Sequence, residues 1–498
     1  MKAQLSRLSS IQLAHCLRAG FVVLVVALIV QIITQDWLLI DGERLGSDAT
    51  QNLNSAVNYV LHGIYSEQPV SADVEPGFRR EPFPNLVLVL ILGIVKNLFP
   101  EYLDLEAQPF HSDLLIFAKS LNLFYAGILF LGLWACLLLV LQPAWLACGA
   151  SLLVISASNH FFVKPQLNNL NTELVAGVLL VWISVVLLKA QESRLGRWAV
   201  LGGILIGFIA LVKAIGAYSA LFLLPVLALL LSRVGKRFWA SFFALTLGFL
   251  IVVMPWVARN YYQFGRTAIA EGAGDVLLIR SVYNEMDHQQ LAHSFFAFSP
   301  VFFQEAEIFS AFGISESDLK CGGSLHVFAR SLDCDNEAIA QARYADVRSF
   351  YQRGKRALPR LLGLTREEKK DFAIQRIVNH PLGHLMATPS FGWRGLWSFE
   401  INHWGDAVLN FSAFACLFAA PLIGWCEKRI GWILVSAVPL SYFWMYAITS
   451  HFIPRYSRPL IPIALVCMVM VVVDCFSRLI DRKQTGYQSS IGFGLRCR

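Results

Sequence analysis

The chain has 498 residues, of which 56% are hydrophobic and only 15% are charged, and its 41 Lys and Arg against 34 Asp and Glu leave a net charge of +7. Soluble domains average roughly 45–50% apolar and about 25% charged residues, so the composition excludes an ordinary soluble enzyme. The apolar residues come in long runs without collagen-like or low-complexity bias, which excludes fibrous and disordered classes and indicates a polytopic membrane protein.

The sequence predicts ten membrane spans, because about 20 helical residues cross about 30 Å of hydrocarbon. The first apolar run follows Lys2, Arg7 and Arg18 and ends without a clear cleavage site, which predicts an uncleaved signal anchor with its N-terminus inside. The predicted spans are residues 19–40, 114–141, 144–160, 173–189, 199–213, 216–231, 239–257, 406–426, 432–449 and 459–476.

Two apolar runs depart from the length of a single span. Residues 84–99 are only about 16 residues long and include Lys96 and Asn97, whereas residues 199–231 would form a helix of about 50 Å. We therefore predict that the first run is a juxtamembrane segment that does not cross and that the second run crosses twice. Basic residues then concentrate on the side of the N-terminus, as the positive-inside rule requires, and both termini are cytoplasmic.

This topology divides the chain into four parts. Residues 1–257 form an N-terminal membrane module, residues 258–405 a large loop on the outer face, residues 406–476 a C-terminal group of spans, and residues 477–498 a cytoplasmic tail. The loop is long enough to fold as its own layer. The predicted fold class is an all-α polytopic protein of the cytoplasmic (inner) membrane, with about ten transmembrane helices and a mostly helical outer-face loop domain.

Two cysteines, Cys321 and Cys334, lie in the large outer loop. Cysteines in a translocated loop meet an oxidising compartment, where disulfides form and persist. We predict a disulfide between Cys321 and Cys334, and two unpaired thiols are the alternative.

Ionisable residues collect near the predicted outer surface. Burying a charge in a membrane protein is costly, so an ionisable residue there is a candidate for function. A generic transporter would place such groups near the midplane between repeated halves. An outward-facing site has no access to cytoplasmic nucleotide-activated donors, so a donor would arrive attached to a lipid. Cations suit a lipid phosphate, and a carboxylate suits the deprotonation of a hydroxyl. The ionisable residues near the predicted outer surface are Asp48, Arg79, Arg80, Glu81, Lys119, His160, Lys164, Glu173, His451, Arg455 and Arg458.

An ordered set of short motifs covers most of the chain. The motifs are Asp48 followed by Ala56, Gly63 and Tyr65; Arg79-Arg80-Glu81-Pro82; Asn171-Thr172-Glu173; Gly203-x-x-x-Gly207-x-x-x-Leu211-Val212-Lys213; Pro255-Trp256-x-x-Arg259-Asn260; and His451-x-x-x-Arg455-Tyr456. In this order and spacing, the chain resembles the polytopic glycosyltransferases of the GT-C class. It is most similar to glycosyltransferase family 39, the branch with protein O-mannosyltransferases and lipid A aminoarabinose transferases.

The resemblance implies that an acid in the first outer loop activates the acceptor. Asp48 is the candidate catalytic base, and an N-cap role is its alternative. Glu173 is a candidate second acidic group that orients sugar or acceptor, and a stabilising position at a helix N-terminus is its alternative. Many members carry two adjacent acids where this chain has Asp48-Ala49, so only one acid is carried over.

Four basic residues are candidates for binding the phosphate of the donor lipid, with interfacial anchoring as the alternative: Arg79, Arg80, Lys213 and Arg455. Four further residues are candidates for positioning substrate or loops: Glu81, which is also a possible salt-bridge partner of the arginines, Lys164, Arg259, expected to hold the large outer loop, and Tyr456. Histidines with paired zinc-ligand spacing are not found, so we predict no zinc site, and a divalent metal stays open. The chain has no Walker or dinucleotide-binding loop, and we expect no nucleotide cofactor.

The sequence therefore predicts an integral-membrane glycosyltransferase of the cell envelope, with its active site facing the periplasm or exterior. It would move a hexose or pentose, with inversion, from a polyprenyl-phosphate donor to a glycolipid, glycan or protein acceptor, as in lipopolysaccharide modification. The expected partners are the donor, the acceptor and the lipid bilayer, and no nucleic acid. Two alternatives stay open: a flippase or transporter of lipid-linked sugars without chemistry, and a glycan ligase with a diphosphate-linked donor.

Overall fold

The structure is a computed structural model and describes residues 2–103, 110–193, 196–232, 237–305, 313–330 and 334–484. The predicted cytoplasmic segment at residues 233–236 and most of the predicted tail lie outside the described residues. The chain forms two compact units. The first, here called the membrane unit, comprises Met1–Ile269, Ser412–Ser441 and Pro459–Arg498, and the second, the loop unit, comprises Ala270–Phe411 and Tyr442–Arg458.

The described residues form helices joined by loops, and no strand occurs among them. The first nine helices belong to the membrane unit: α1 (Lys2–Trp37), α2 (Ser47–His62), α3 (Pro82–Leu98), α4 (Ser112–Val140), α5 (Ala144–Ser158), α6 (Glu173–Ser193), α7 (Gly196–Val212), α8 (Ile215–Ser232) and α9 (Phe238–Phe264). The loop unit contains α10 (Ala273–Val282), α11 (His288–Ala297), α12 (Glu368–Asn379) and α13 (Pro381–Leu396), with several shorter turns. The last three helices are α14 (Trp404–Cys426), α15 (Ile430–Thr449) and α16 (Ile461–Gln484).

Nine helices within the described residues are long and apolar enough to cross a membrane. They correspond to nine of the ten predicted spans, and α7 and α3 are shorter apolar helices of 17 residues each. The predicted all-α polytopic membrane class is confirmed. It stays a prediction that α7 crosses the membrane, that α3 does not cross it, and that both termini are cytoplasmic.

The long apolar run at residues 199–231 is two helices in the structure, because the chain leaves the helical path at Lys213 and Ala214 between α7 and α8. Small residues let α7 and α9 approach closely. A Cβ atom placed on Gly203 would lie 2.0 Å from the carbonyl oxygen of Leu245, and one on Gly248 would lie 2.1 Å from that of Val200. Such contacts forbid any larger residue, so these glycines set the distance between the two backbones.

The loop unit is organised around aromatic side chains. The ring of Tyr283 meets those of Phe391 and Phe350 at centroid distances of 5.0 and 5.1 Å, and Phe298 lies 5.3 Å from Phe391. Buried rings of this kind supply large apolar area in a unit with few long helices. The unit begins at Ala270 and includes the end of α15. The predicted bounds of the outer-face loop, residues 258–405, stay a prediction.

Cys321 and Cys334, the pair that the sequence indicates, form a disulfide in the loop unit, with their Cα atoms 5.0 Å apart. The bond closes a loop whose ends are 13 residues apart in sequence. It therefore restrains a part of the unit that has only short helical turns.

Candidate functional site

Asp48 lies in the first turn of α2, in the loop region that follows the first span. The N-cap residue is Gly46, with extended backbone angles (φ −65°, ψ 164°) and no side-chain cap. Asp48 is thus the second helical residue and does not cap the helix, which removes the N-cap alternative for it. Its carboxylate stands at the positive end of the helix dipole, where a negative charge is stabilised.

Arg80 is the ion-pair partner of Asp48. One of its terminal nitrogens donates to Oδ1 of Asp48 at 2.5 Å, and its Nε donates to Oε1 of Gln51 at 2.7 Å. Gln51 is one helical turn after Asp48, so the planar guanidinium spans two side chains on one face of α2. The sequence left Glu81 open as the salt-bridge partner of the arginines, and the structure shows Asp48 in that place for Arg80.

Glu81 instead links the start of α3 to the turn between α7 and α8. Its Oε1 accepts a hydrogen bond from the backbone N–H of Ala214 at 3.4 Å. The backbone carbonyls of Arg80 and Glu81 lie 3.1 Å from the hydroxyl of Tyr65, which also accepts from the amide of Asn85 at 2.8 Å. Burial raises the pKa of Tyr65, so this hydroxyl keeps its proton and remains a donor.

Glu173 and Lys213 form a second, more deeply buried ion pair. Nζ of Lys213 donates to Oε1 of Glu173 at 3.0 Å, and the two side chains are 11% and 1% exposed. Glu173 is the first residue of α6, and Lys213 occupies the break between α7 and α8. Two charges in such an environment are tolerated because each compensates the other.

A continuous chain of contacts joins the two ion pairs into one site. Arg80 is bonded to Asp48 and is followed by Glu81, Glu81 contacts Ala214, and Lys213, next to Ala214, is bonded to Glu173. A separate contact ties the same elements together, since the amide of Asn52 in α2 donates to the carbonyl of Leu170 at 2.7 Å, three residues before Glu173. The structure therefore brings five of the predicted site residues together: Asp48, Arg80, Glu81, Glu173 and Lys213.

The remaining predicted site residues lie elsewhere. Arg79 is exposed and forms no ion pair with any residue that the structure describes. Lys164 is exposed as well, within electrostatic range of Asp36. Arg455 and Tyr456 belong to the loop unit, where the ring of Tyr456 stacks on that of Tyr446 at 4.9 Å.

Arg259 corrects one expectation. The sequence assigned it to holding the large outer loop, whereas its guanidinium donates to the carbonyls of Gly77 (2.9 Å) and Tyr65 (3.4 Å), both in the segment between α2 and α3. It also lies 4.7 Å from the ring of Trp256 on its own helix. Arg259 therefore fastens the segment between α2 and α3 to α9.

An apolar groove of about 630 Å³ adjoins the charged chain of contacts. Pro82 and Phe83, which follow Glu81, line one side of it, and Leu211, two residues before Lys213, lines another. Arg259 is the one charged residue among the described residues that line the groove. The site thus combines ionised groups with an adjacent surface suited to a hydrocarbon chain.

Sequence reasoning did not find Gln51, Asn52 or the Tyr65–Asn85 pair. A usable signal was present in α2, where polar residues recur at positions 48, 51, 52, 55 and 58, the spacing of one helix face. Asn52, Ser55 and Asn58 are buried, so this face is polar and faces the protein rather than water. Among the described residues there is no cluster of three or more His, Cys, Asp or Glu residues arranged to hold a metal ion.

The comparisons with known proteins give structural likeness only. Neither a protein-family model nor a curated protein sequence matches the chain. The oligosaccharyltransferase of Archaeoglobus fulgidus in its apo form is similar at a TM-score of 0.48 and 14% identity, over 96% of this chain and 53% of that one. Its complex with an inhibitory peptide and a dolichol-phosphate gives 0.45 and 13%, over 94% and 53%. ArnT of Cupriavidus metallidurans bound to undecaprenyl phosphate gives 0.36 and 13%, over 95% and 82%.

This chain spans about half the length of the oligosaccharyltransferase chains that it matches. At these TM-scores and identities, the likeness establishes neither a family nor an activity for it.

Proposed function

We propose that the protein is an integral-membrane glycosyltransferase of the GT-C class that transfers a sugar from a polyprenyl-phosphate donor to an acceptor on the outer side of the membrane. The observation that carries this proposal is the continuous chain of contacts from Asp48 through Arg80, Glu81 and Lys213 to Glu173. Three carboxylates and two cations lie in this chain of contacts, beside an apolar groove. A lipid phosphate, a sugar and an acceptor hydroxyl need these groups.

The two ion pairs supply the base and the cations that the proposed reaction needs. The donor phosphate offers two non-bridging oxygens to a guanidinium and gains a second negative charge as the sugar leaves, so it competes with Asp48 for Arg80. Its binding would draw Arg80 away and leave the Asp48 carboxylate to accept the proton of the acceptor hydroxyl. The acceptor oxygen attacks the anomeric carbon, the bond to the phosphate oxygen breaks with inversion, and the lipid phosphate leaves with the electron pair.

The other site residues have supporting roles in this proposal. Lys213 stabilises the negative charge that develops on the leaving phosphate, and Glu173 orients the sugar or the acceptor. The apolar groove accommodates the first part of the polyprenyl chain, because Phe83 and Leu211 offer it hydrocarbon contact close to Glu81 and Lys213. Arg455, which lies in the loop unit, stays a candidate for binding a phosphate. The acceptor is a glycolipid, a glycan or a protein, and the site faces the periplasm or exterior of a cytoplasmic membrane protein.

Replacing Asp48 by Asn tests the proposal against the flippase alternative. The amide keeps the size of the side chain and removes its basicity, and a general base contributes about 10²–10⁴ in rate. We expect Asp48→Asn to insert into the membrane and bind a polyprenyl-phosphate sugar as the wild type does, while transfer falls by that factor.

Asp73→Asn is the matched control, since Asp73 is an exposed carboxylate of the same segment between α2 and α3. Its transfer rate should equal that of the wild type. Retention of more than about a tenth of wild-type turnover by Asp48→Asn, outside the expected range, would remove Asp48 from the mechanism and favour the flippase.

A further inference from the structure

The loop unit contains a group of cations that the proposed reaction does not use. Arg330 and Lys355 approach the same tyrosine, with Cζ of Arg330 5.0 Å and Nζ of Lys355 5.3 Å from the ring centroid of Tyr351. The ring of Tyr351 lies 5.4 Å from that of His451, whose backbone carbonyl accepts a hydrogen bond from Arg394 at 3.2 Å. These five residues are called the basic cluster. Four different segments of the loop unit contribute to it.

Within the part of the chain that the structure describes, the cations of the basic cluster have no carboxylate partner. Arg330, Lys355 and Arg394 form no ion pair with any carboxylate of the described residues, and the charged groups that act on His451 are these three cations. Other arginines of the loop unit are neutralised, since Arg353 and Arg376 both pair with Glu285 and Arg366 pairs with Glu271. Like charges held together repel one another, so the cluster retains an unbalanced positive field.

Burial of Arg394 makes its contribution to this field stronger than that of a solvated cation. Arg394 is 7% exposed, and its guanidinium lies 4.5 Å from the ring centroid of Phe298. Burial lowers the pKa of Arg394 to about 10, which leaves it charged at neutral pH. Fields from a buried charge are screened less by water and salt than those from an exposed one.

His451 contributes an unused polar atom. The residue is 4% exposed, and its Nδ1 is buried without a hydrogen-bond partner among the described residues. Burial first, and then Arg394, Arg330 and Lys355, hold the pKa of His451 well below its usual value, so the ring is neutral and one of its nitrogens carries a proton. An unsatisfied buried polar atom is costly in a folded protein and is often explained by a ligand or water.

Tyr351 supplies a hydroxyl in the same place. Although burial raises the pKa of Tyr351, the charges of Lys355 and Arg330 beside it lower it overall. Arg330 and Lys355 themselves are exposed, so the cluster is open to solvent on their side and closed on the side of Arg394 and His451.

We propose that the basic cluster is a binding site for a phosphate group with two or more negative charges, a phosphomonoester or a diphosphate. The three positive charges of the cluster are more than a carboxylate, with its single negative charge, can balance. A tetrahedral phosphate can offer oxygens to the forked guanidinium of an arginine and to the ammonium of Lys355 at the same time. The site itself is independent of the proposed function. Only the assignment of the anion to a lipid-linked substrate, rather than to a soluble phosphate, rests on it.

A pair of charge-removing variants tests the site on the full chain in detergent. Arg330→Gln with Lys355→Gln removes the two exposed cations, and because both are at the surface the fold should be retained. Lys320→Gln with Arg343→Gln is the matched control: it removes the same charge from exposed residues that are paired with Glu316 and Asp346. Binding of inorganic diphosphate, inorganic phosphate and a short-chain polyprenyl phosphate is measured by calorimetry for each protein.

We expect the wild type and the control to bind at least one of these probes at a site where the Arg330/Lys355 variant binds it at least tenfold more weakly; polyprenyl phosphate bound at the Arg80–Lys213 site is unaffected by these substitutions. Binding of the inorganic probes assigns the site to the phosphate group alone, whereas binding of polyprenyl phosphate only assigns it to the lipid-linked form. Equal weakening in both double variants, or no binding of any probe by the wild type, overturns the proposal. Binding is measured without transfer, so failure of Asp48 as a base leaves this result unaffected.

Discussion

The most deeply buried cations of the two units are held in different ways. In the membrane unit three cations have a carboxylate partner: the buried Lys119 with Asp41, the buried Lys213 with Glu173, and the half-buried Arg80 with Asp48. Arg259 is held there by backbone carbonyls and an aromatic ring instead. In the loop unit the buried Arg280 and Arg394 are held by neutral acceptors and aromatic rings instead, and they form no ion pair with a carboxylate of the described residues.

The presence or absence of a carboxylate partner decides whether a cation site can only bind an anion or can also supply a base. An anion that enters a paired site takes the cation and releases a carboxylate, which is then available as a base. An anion that enters an acid-free cluster gains electrostatic stabilisation and releases nothing. In the proposed reaction the proton transfer would therefore take place in the membrane unit, and the loop unit would serve recognition.

The largest expected effect comes from breaking the buried pair of the membrane unit. Removing one partner of a buried ion pair costs about 3–5 kcal/mol, because the other charge is left uncompensated. We expect Glu173→Gln and Lys213→Met each to lower the stability of the protein by this amount. The double variant should lose far less, since no charge remains buried. Thermal unfolding in detergent measures all three.

The exposed pair of Lys189 and Glu192 is the control for this experiment, with side chains 39% and 65% exposed. A double-mutant cycle with Lys189→Met and Glu192→Gln should show a coupling free energy of only about 0.2–1 kcal/mol. If the losses of stability caused by Glu173→Gln and Lys213→Met add in the double variant, the two residues are not a coupled pair. The contrast between paired cations in the membrane unit and unpaired ones in the loop unit then fails.

A second prediction concerns the disulfide of the loop unit. Arg330 of the basic cluster lies between Cys321 and Cys334 in sequence, so the bond restrains the segment that carries it. Replacing both cysteines by Ser should lower stability by about 2–4 kcal/mol and weaken phosphate binding at the cluster, since an unrestrained segment loses more entropy on binding. Unfolding and calorimetry report the two effects.

Cys475→Ser is the matched control, because Cys475 is exposed and unpaired. It should change neither quantity. Alkylation of the unreduced protein at both Cys321 and Cys334 would show that the disulfide is not formed in cells.

The smallest effect is a pH dependence of the loop unit. Burial, and then the charge of Arg280, lower the pKa of His384 from 6.5 to about 4. Above pH 6.5 the ring is neutral in both states and full stability is present. As the pH falls from about 6.5 to about 4, the unfolded chain binds a proton that the folded chain does not, so up to about 3 kcal/mol of stability is lost.

His384→Gln should remove this part of the loss, and unfolding measured between pH 7 and pH 4 would show a flatter profile. His380→Gln is the control, since His380 is exposed in the same unit, and it should keep the wild-type profile. A profile unchanged in His384→Gln would mean that the histidine does not sense the acid-free environment of Arg280.

The sequence by itself determined the class of the protein and where its polar residues gather. Apolar runs predict helices and spans because hydrocarbon thickness and helical rise set a length that composition alone reveals. The same reasoning indicated the break near Lys213, since a run of 33 residues is too long for one crossing. Asp48, Arg80 and Glu173 were found because charges are rare in such a chain and each one is conspicuous.

Only the tertiary structure decided which of these residues touch. That Arg80 pairs with Asp48 and not with Glu81, and that Arg259 holds the segment between α2 and α3, depends on how that segment packs, and this segment has no periodicity to read. The basic cluster is the extreme case. Arg330, Lys355, Arg394 and His451 are spread over more than a hundred residues, and a chain segment carries no local signal for contacts that only packing brings together.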